Sequence, residues 1–85
     1  MTYSKHASVR AQQRCIPPLI VEWLLEYGRR ISSHGAVHII FDKRSRKSIA
    51  KEVGTNILRQ LSKYLNVEAI VDPETDVVIT VQWKY

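Results

Sequence analysis

The sequence predicts an α+β domain in which two N-terminal helices, a third helix and a small, mostly antiparallel four-stranded sheet follow the order ααββαββ. Three observations carry that expectation. Ile16, Leu19, Ile20, Trp23, Leu24 and Tyr27 recur at the spacing of one helix face. The dipeptide His34-Gly35, suited to a two-residue hairpin turn, separates two strand-like runs, 29–33 and 36–41. The chain closes on Val77 to Tyr85, where apolar and polar residues alternate. Eighty-five residues make one domain spanning 1–85, and the 45% hydrophobic content is that of a globular chain with a modest core.

Taken in order, Ser4 is placed to cap a first helix over about Lys5 to Arg14, which Ile16-Pro17-Pro18 ends. Proline at the first turn of the second helix costs little, because its missing N–H would be unpaired anyway. Glu22 and Glu26 lie off the apolar stripe of that helix, and Gly28 is placed to stop it. In the second strand Val37, Ile39 and Phe41 share one face and His38 and Ile40 the other. Asp42 to Lys47 reads as a basic connecting loop, and Ser48 to Val53 as either an extra turn or a distorted strand end. The third helix is expected from about Asn56 to Leu65, with Ile57, Leu58, Leu61, Tyr64 and Leu65 inward and Asn66 in the left-handed position after it. Val67–Val71 and Val77–Tyr85 form the last strands, the second with Val77, Ile79, Val81, Trp83 and Tyr85 on its apolar face.

Charge is unevenly spread. The net charge is +5, but residues 1–51 hold ten Lys/Arg against three Asp/Glu, whereas residues 52–85 hold three against five. A basic first part favours an anionic partner, a polyanion such as RNA or equally an acidic protein. The single Cys15 cannot form an internal disulfide and is read as a small buried residue; its solitude fits a reducing, cytoplasmic setting. The N-terminus lacks the apolar stretch of a signal peptide, and apolar runs such as Leu19–Val21 are far too short to cross a membrane.

Two constellations stand out. His6, Arg10 and Arg14, spaced by four, form one stripe on the first helix, bordered by Gln13. Guanidiniums bind phosphate oxygens and an imidazole moves protons near neutral pH, so the stripe suits a phosphodiester. The alternative is that Arg10 and Arg14 pair with Glu22 or Glu26 on the neighbouring helix. Lys43, Arg44, Arg46 and Lys47 read as a phosphate-contact patch that supplies affinity without reading bases, or as a solvated basic segment. His38 is a secondary acid–base candidate; His34 reads as a turn residue, and the final Tyr85 as an apolar edge residue.

There is no Gly-rich phosphate loop, metal-spaced carboxylate pair or Ser/His/Asp signature, so no cofactor or metal is expected. Hydrolysis without a metal favours RNA, whose 2′-hydroxyl supplies the nucleophile and leaves the protein to move protons and stabilise charge.

The segment His6-Ala7-Ser8-Val9-Arg10-Ala11-Gln12-Gln13-Arg14 resembles the H-A-x-x-R-x-x-x-R opening of a family of small bacterial domains of unknown function. Ile16, Leu25-Glu26-Tyr27-Gly28, Phe41-Asp42-Lys43 and Val78-Ile79-Thr80-Val81 resemble it too, so the likeness spans nearly the whole chain. That family is grouped with compact toxins of the RelE and BrnT types, ribonucleases that a cognate antitoxin inhibits. The resemblance implies a RelE/BrnT-like fold, endoribonuclease activity, an acidic antitoxin as partner, and His6, Arg10 and Arg14 as site residues. Cys15-Ile16-Pro17 departs from the family pattern, which usually has Gly-Ile-Ser.

The expectation is therefore a metal-independent endoribonuclease of a toxin–antitoxin pair. His6 would be its acid or base with His38 as partner, Arg10 and Arg14 would hold the phosphate, and Lys43 to Lys47 would track the RNA backbone. A non-catalytic binding module for RNA or an acidic protein is the alternative. The open edges of so small a sheet also allow pairing with a second chain as a homodimer.

Overall fold

The computed structural model describes residues 2–84. The elements are β1 (Thr2–Tyr3), α1 (Lys5–Gln13), α2 (Pro18–Tyr27), β2 (Arg29–Ser33), β3 (Ala36–Ile40), α3 (Lys43–Val53), α4 (Thr55–Gln60), a 3₁₀ turn at Ser62–Tyr64, β4 (Val67–Val71) and β5 (Val77–Trp83). The sheet order is β1-β5-β4-β3-β2; each neighbouring pair from β2 to β5 is antiparallel, as expected, and the two-residue β1 adds parallel to β5.

One sheet face carries the core. Val37, Ile39, Val67, Ala69, Val71, Val78 and Val81 are buried there, and α2 packs against β3 and β4 through its stripe of Ile20, Trp23 and Leu24. Each fully buried Leu or Ile of this kind contributes about 1.5–3 kcal/mol. Pairing partners in an antiparallel ladder share a face, so the register puts Arg29, Ile31, His38, Ile40, Glu68, Ile70, Thr80 and Gln82 on the opposite side. None of these eight is buried.

Gly28 ends α2, but with extended backbone (φ −65°, ψ 154°) rather than a left-handed one. Its missing side chain serves a close approach: a Cβ would run into Ile39 Cγ2 and the Leu24 carbonyl. The hairpin turn falls on His34 and Gly35 (φ 50° and 78°), the paired positive values of a two-residue type I′ connection, which only glycine adopts without strain at the second position.

Several expectations are corrected. The 42–47 segment is not a loop: Asp42 caps α3 in a box in which Asp42 Oδ1 accepts from the Ser45 N–H (2.8 Å) and Ser45 Oγ accepts from the Asp42 N–H (2.7 Å). Ser48 to Val53 continues that helix, and Ser45 and Ile49 are its buried face. The helix expected over 56–65 is divided into α4 and the 3₁₀ turn, and Ile57 is exposed rather than inward. Asn66 does not take the left-handed conformation; Cys15 does (φ 56°) and is exposed, not buried. In β5 the ladder pairs Val71 with Val78 but Ile70 with Thr80, so Ile79 is the extra residue of a bulge. The bulge shifts the strand's phase: Val78 enters the core, and Ile79, expected inside, is 44% exposed. The reading of Tyr85 lies outside the described residues.

Candidate nucleic-acid interface

The inward face of α1 consists of two alanines, Ala7 and Ala11, and residues that small let the helix lie close along β5. At its start the Ser4 N–H donates to the Val78 carbonyl (3.3 Å) and Ser4 Oγ caps the helix by accepting from the Ala7 N–H (3.0 Å). At its end Arg14 Nη1 donates to the Val81 carbonyl (2.9 Å), with Thr80 Oγ1 at 3.5 Å, and Trp83 Nε1 donates to the Arg14 carbonyl (2.8 Å). These contacts make α1 run in the same direction as β5. Strand β1 pairs only with Val77 and Val78, and further along the edge the Arg14 guanidinium supplies the donor that a strand would have supplied.

The expected stripe is therefore split in its duties. Arg14 is half-buried and bonded to the sheet edge, while His6, Arg10 and Gln13 are exposed. Neither Arg10 nor Arg14 pairs with Glu22 or Glu26; among the described residues Arg30 forms an ion pair with Asp76 (3.0 Å), and His38 Nδ1 lies 3.4 Å from Glu68 Oε2.

Helix α3 carries the second group. Lys43, Arg44, Arg46 and Lys47 are all exposed, as is Lys51 one turn further on. At roughly 100° per residue Lys43, Lys47, Lys51 and Arg44 span an arc of about 100° on the side away from Ser45 and Ile49. No ion pair ties any of the five to a carboxylate among the described residues. Below the stripe, a polar cleft of about 490 Å³ lies between the end of α2 and the start of α3, with Arg29 and Arg44 in its wall beside Tyr27 and Ser48. The Ser45 backbone N–H holds the Asp42 carboxyl there below its ordinary 3.8 against the opposing effect of burial, helped by the Ser45 hydroxyl and the Arg29 charge. Burial, and then the charges of Glu26 and Glu52, raise the Tyr27 phenol, which stays a protonated donor.

His38 lies elsewhere, in a polar line across the open sheet face. Its Nδ1 faces Glu68 Oε2 at 3.4 Å, and Gln82 Nε2 donates to Glu68 Oε1 at 2.7 Å. The Glu68 side chain is only 16% exposed, so both its oxygens are employed where water is scarce. Strands β4 and β5 separate β3 from α1, about 10 Å of sheet at normal strand spacing. The structure does not bring His6 and His38 together. His34 is exposed, its Nδ1 2.8 Å from Ser33 Oγ.

Sequence reasoning missed three groups of residues. Glu68 and Gln82 were unmarked because only the β4–β5 register sets them opposite each other. Tyr64 and Trp83 meet at 6.3 Å between ring centroids, with Lys63 Nζ 5.1 Å from the Tyr64 centroid, next to the Arg14 carbonyl that binds Trp83. No local spacing joins residues so far apart in the chain. Lys51 was visible at i+4 from Lys47, but counts as part of a stripe only once the segment is known to be helical.

Fold and surface together define a small α+β domain with cationic helices and a partly open sheet face. No family model, curated protein or solved structure matches the chain. Among the described residues no three His, Cys, Asp or Glu gather as metal ligands would, and no helix is long and apolar enough to cross a membrane.

Proposed function

We propose that this domain binds RNA in the cytoplasm, gripping the phosphate backbone with the α3 stripe and with His6 and Arg10 of α1. The observation that carries the proposal is the set of five exposed cations on α3, four of them in one arc and all free of carboxylate ion pairs among the described residues. A helix spaces such cations at one-turn intervals of about 5.4 Å, near the separation of successive phosphates on a strand. Each neutralised phosphate releases a condensed counterion, so binding of this kind is strong at low salt and weakens steeply as salt rises. The likeness of the His6–Arg14 segment to a family of small bacterial domains of unknown function, itself grouped with ribonuclease toxins, supports RNA as the polyanion.

Fluorescence anisotropy with a labelled single-stranded RNA, a DNA of the same sequence and a duplex, each at several salt concentrations, tests the proposal. Salt-dependent RNA binding that fails on Lys43→Glu/Lys47→Glu supports it. Absence of RNA binding at low salt, with a stable complex formed instead with an acidic protein such as an antitoxin, overturns it.

Metal-independent RNA cleavage by 2′-hydroxyl attack is a second reading. It is favoured by the exposure of His6 and Arg10 one turn apart on a helix held against the sheet at both ends. In that chemistry His6 takes the 2′-hydroxyl proton, the 2′-oxygen bonds to phosphorus as the 5′-oxygen leaves, and water protonates the leaving oxygen. Arg10 stabilises the phosphorane charge. Cleavage in chelator that is lost in His6→Ala and Arg10→Ala supports it; intact RNA in a saturated complex restricts the domain to binding.

A further inference from the structure

The two long edges of the sheet are finished differently. At the β5 edge, β1 and then α1 cover the strand, and Arg14 occupies the Val81 carbonyl. Among the described residues no strand pairs with the outer side of β2: Arg29 to Ser32 are exposed, and only Ser33 is half-buried. The strand contains no proline and no bulge, two usual means of blunting an edge. Its two arginines are not a bare row of charge either, since Arg30 is bonded to Asp76 at 3.0 Å and Arg29 stands near Asp42.

The hairpin fixes which backbone groups this edge offers. Ser33 and Ala36 close the two-residue turn, and the closing pair of such a turn exchanges both its hydrogen bonds. Pairs alternate along an antiparallel ladder, so Ser33, Ile31 and Arg29 bond inward to β3 while the N–H and C=O groups of Ser32 and Arg30 point outward.

We propose that β2 pairs with β2 of a second copy of this chain, antiparallel and centred on Ile31, joining two sheets into one. In that register Arg30 faces the partner's Ser32 and Arg29 faces the partner's Ser33. Four outward backbone hydrogen bonds form, two for each Arg30–Ser32 pair. No arginine stands directly opposite another, because the two-fold axis places a serine opposite each; the two Arg30 side chains are diagonal neighbours, and each carries its own Asp76 partner at 3.0 Å. The axis passes between the two Ile31 side chains, which meet as a non-hydrogen-bonded pair with Cα atoms about 4.5 Å apart, the closer of the two antiparallel spacings. Ile31 is 38% exposed in the single chain, and its contact with its own copy extends the row Ile31–His38–Ile70–Thr80 across the axis. This pairing is independent of any bound RNA.

Ser32→Pro tests it cleanly. The Ser32 N–H points away from β3, so proline removes no bond of the hairpin but deletes a donor of the interface. Sedimentation equilibrium of the wild type from about 10 μM upward is expected to show the 9.9 kDa chain going over to twice that mass. Ser32→Pro, and Ile31→Asp with its two carboxylates forced together on the axis, should stay at single-chain mass with wild-type circular dichroism. Hydrogen exchange adds a site-specific readout, protection of the Arg30 and Ser32 amides that rises with concentration. A wild type that remains a monomer to about 1 mM overturns the proposal, as does a dimer that both variants leave intact. Binding of an extended acidic peptide to β2 of a persistently monomeric wild type would assign the edge to a different chain and overturn it equally.

Discussion

Arg14 Nη1 donates to the Val81 carbonyl at 2.9 Å, and Trp83 Nε1 returns a bond to the Arg14 carbonyl at 2.8 Å. The end of α1 and strand β5 are thus bonded reciprocally, through one side chain and one backbone group of Arg14. An arginine that its spacing groups with His6 and Arg10 is the one that fastens the helix to the sheet edge.

Arg14→Ala should therefore cost stability, about 1.5–3 kcal/mol for a charge-assisted bond from a half-buried guanidinium to the carbonyl of buried Val81. Arg10→Ala and His6→Ala, at exposed positions, should change stability by no more than about 0.5 kcal/mol. Urea melts of the three variants check this. Equal effects at Arg10 and Arg14 would contradict the division of roles.

Reversing charge on α3 should act on affinity and leave the fold alone. Lys43→Glu/Lys47→Glu lowers RNA affinity at low salt and reduces the slope of log K against log salt by roughly 1.5–2. The melting temperature should move little. An affinity loss that disappears at low salt, or a slope that stays unchanged, would place the backbone contacts elsewhere.

Gly28→Ala isolates the close approach of α2 to β3. The backbone conformation at Gly28 suits alanine, so the cost arises wholly from the added methyl meeting Ile39 and the Leu24 carbonyl. Overpacking of this kind costs about 1–3 kcal/mol. Pairing Gly28→Ala with Ile39→Val, which removes part of the obstruction, should cost less than the two single changes added together; strict additivity would disprove the contact as the cause.

Acid stability should reflect the cap of α3. The Asp42 carboxyl is depressed in the folded protein, so its contribution is fully present above the ordinary value of 3.8 and is lost as pH falls through the lower folded value. Asp42→Asn keeps an acceptor for the Ser45 N–H but carries no charge. The stability difference between wild type and Asp42→Asn is expected to be constant above about pH 5 and to shrink towards low pH. A difference that grows on acidification would show the opposite sign of shift.

How far the sequence carried depends on the range of the forces involved. The α2 stripe, the His34-Gly35 turn and the capping Ser4 are local patterns, and the structure has them where expected except at Leu19, which is 45% exposed while Val21, outside the stripe, is buried. Helix α3 was also written locally, in Asp42–Ser45 and in Ile49, but an apolar face of so few residues among five cations reads as loop. The phase of β5 was not legible. Strict alternation favours Ile79 over Val78 for the core, and only the bulge, set by pairing with β4, reverses them. Of the candidate site residues, the exposure of His6, Arg10 and the α3 cations follows from their chemistry, whereas the duty of Arg14 depends on β1 ending two residues into the strand ladder, a tertiary fact.

That unequal finish of the sheet has a consequence for assembly. A domain with two bare flanks adds copies at both and polymerises; one whose second flank is roofed by a helix and stitched by a guanidinium has a single valence. Two such domains that meet flank to flank exhaust it, and growth stops at the pair.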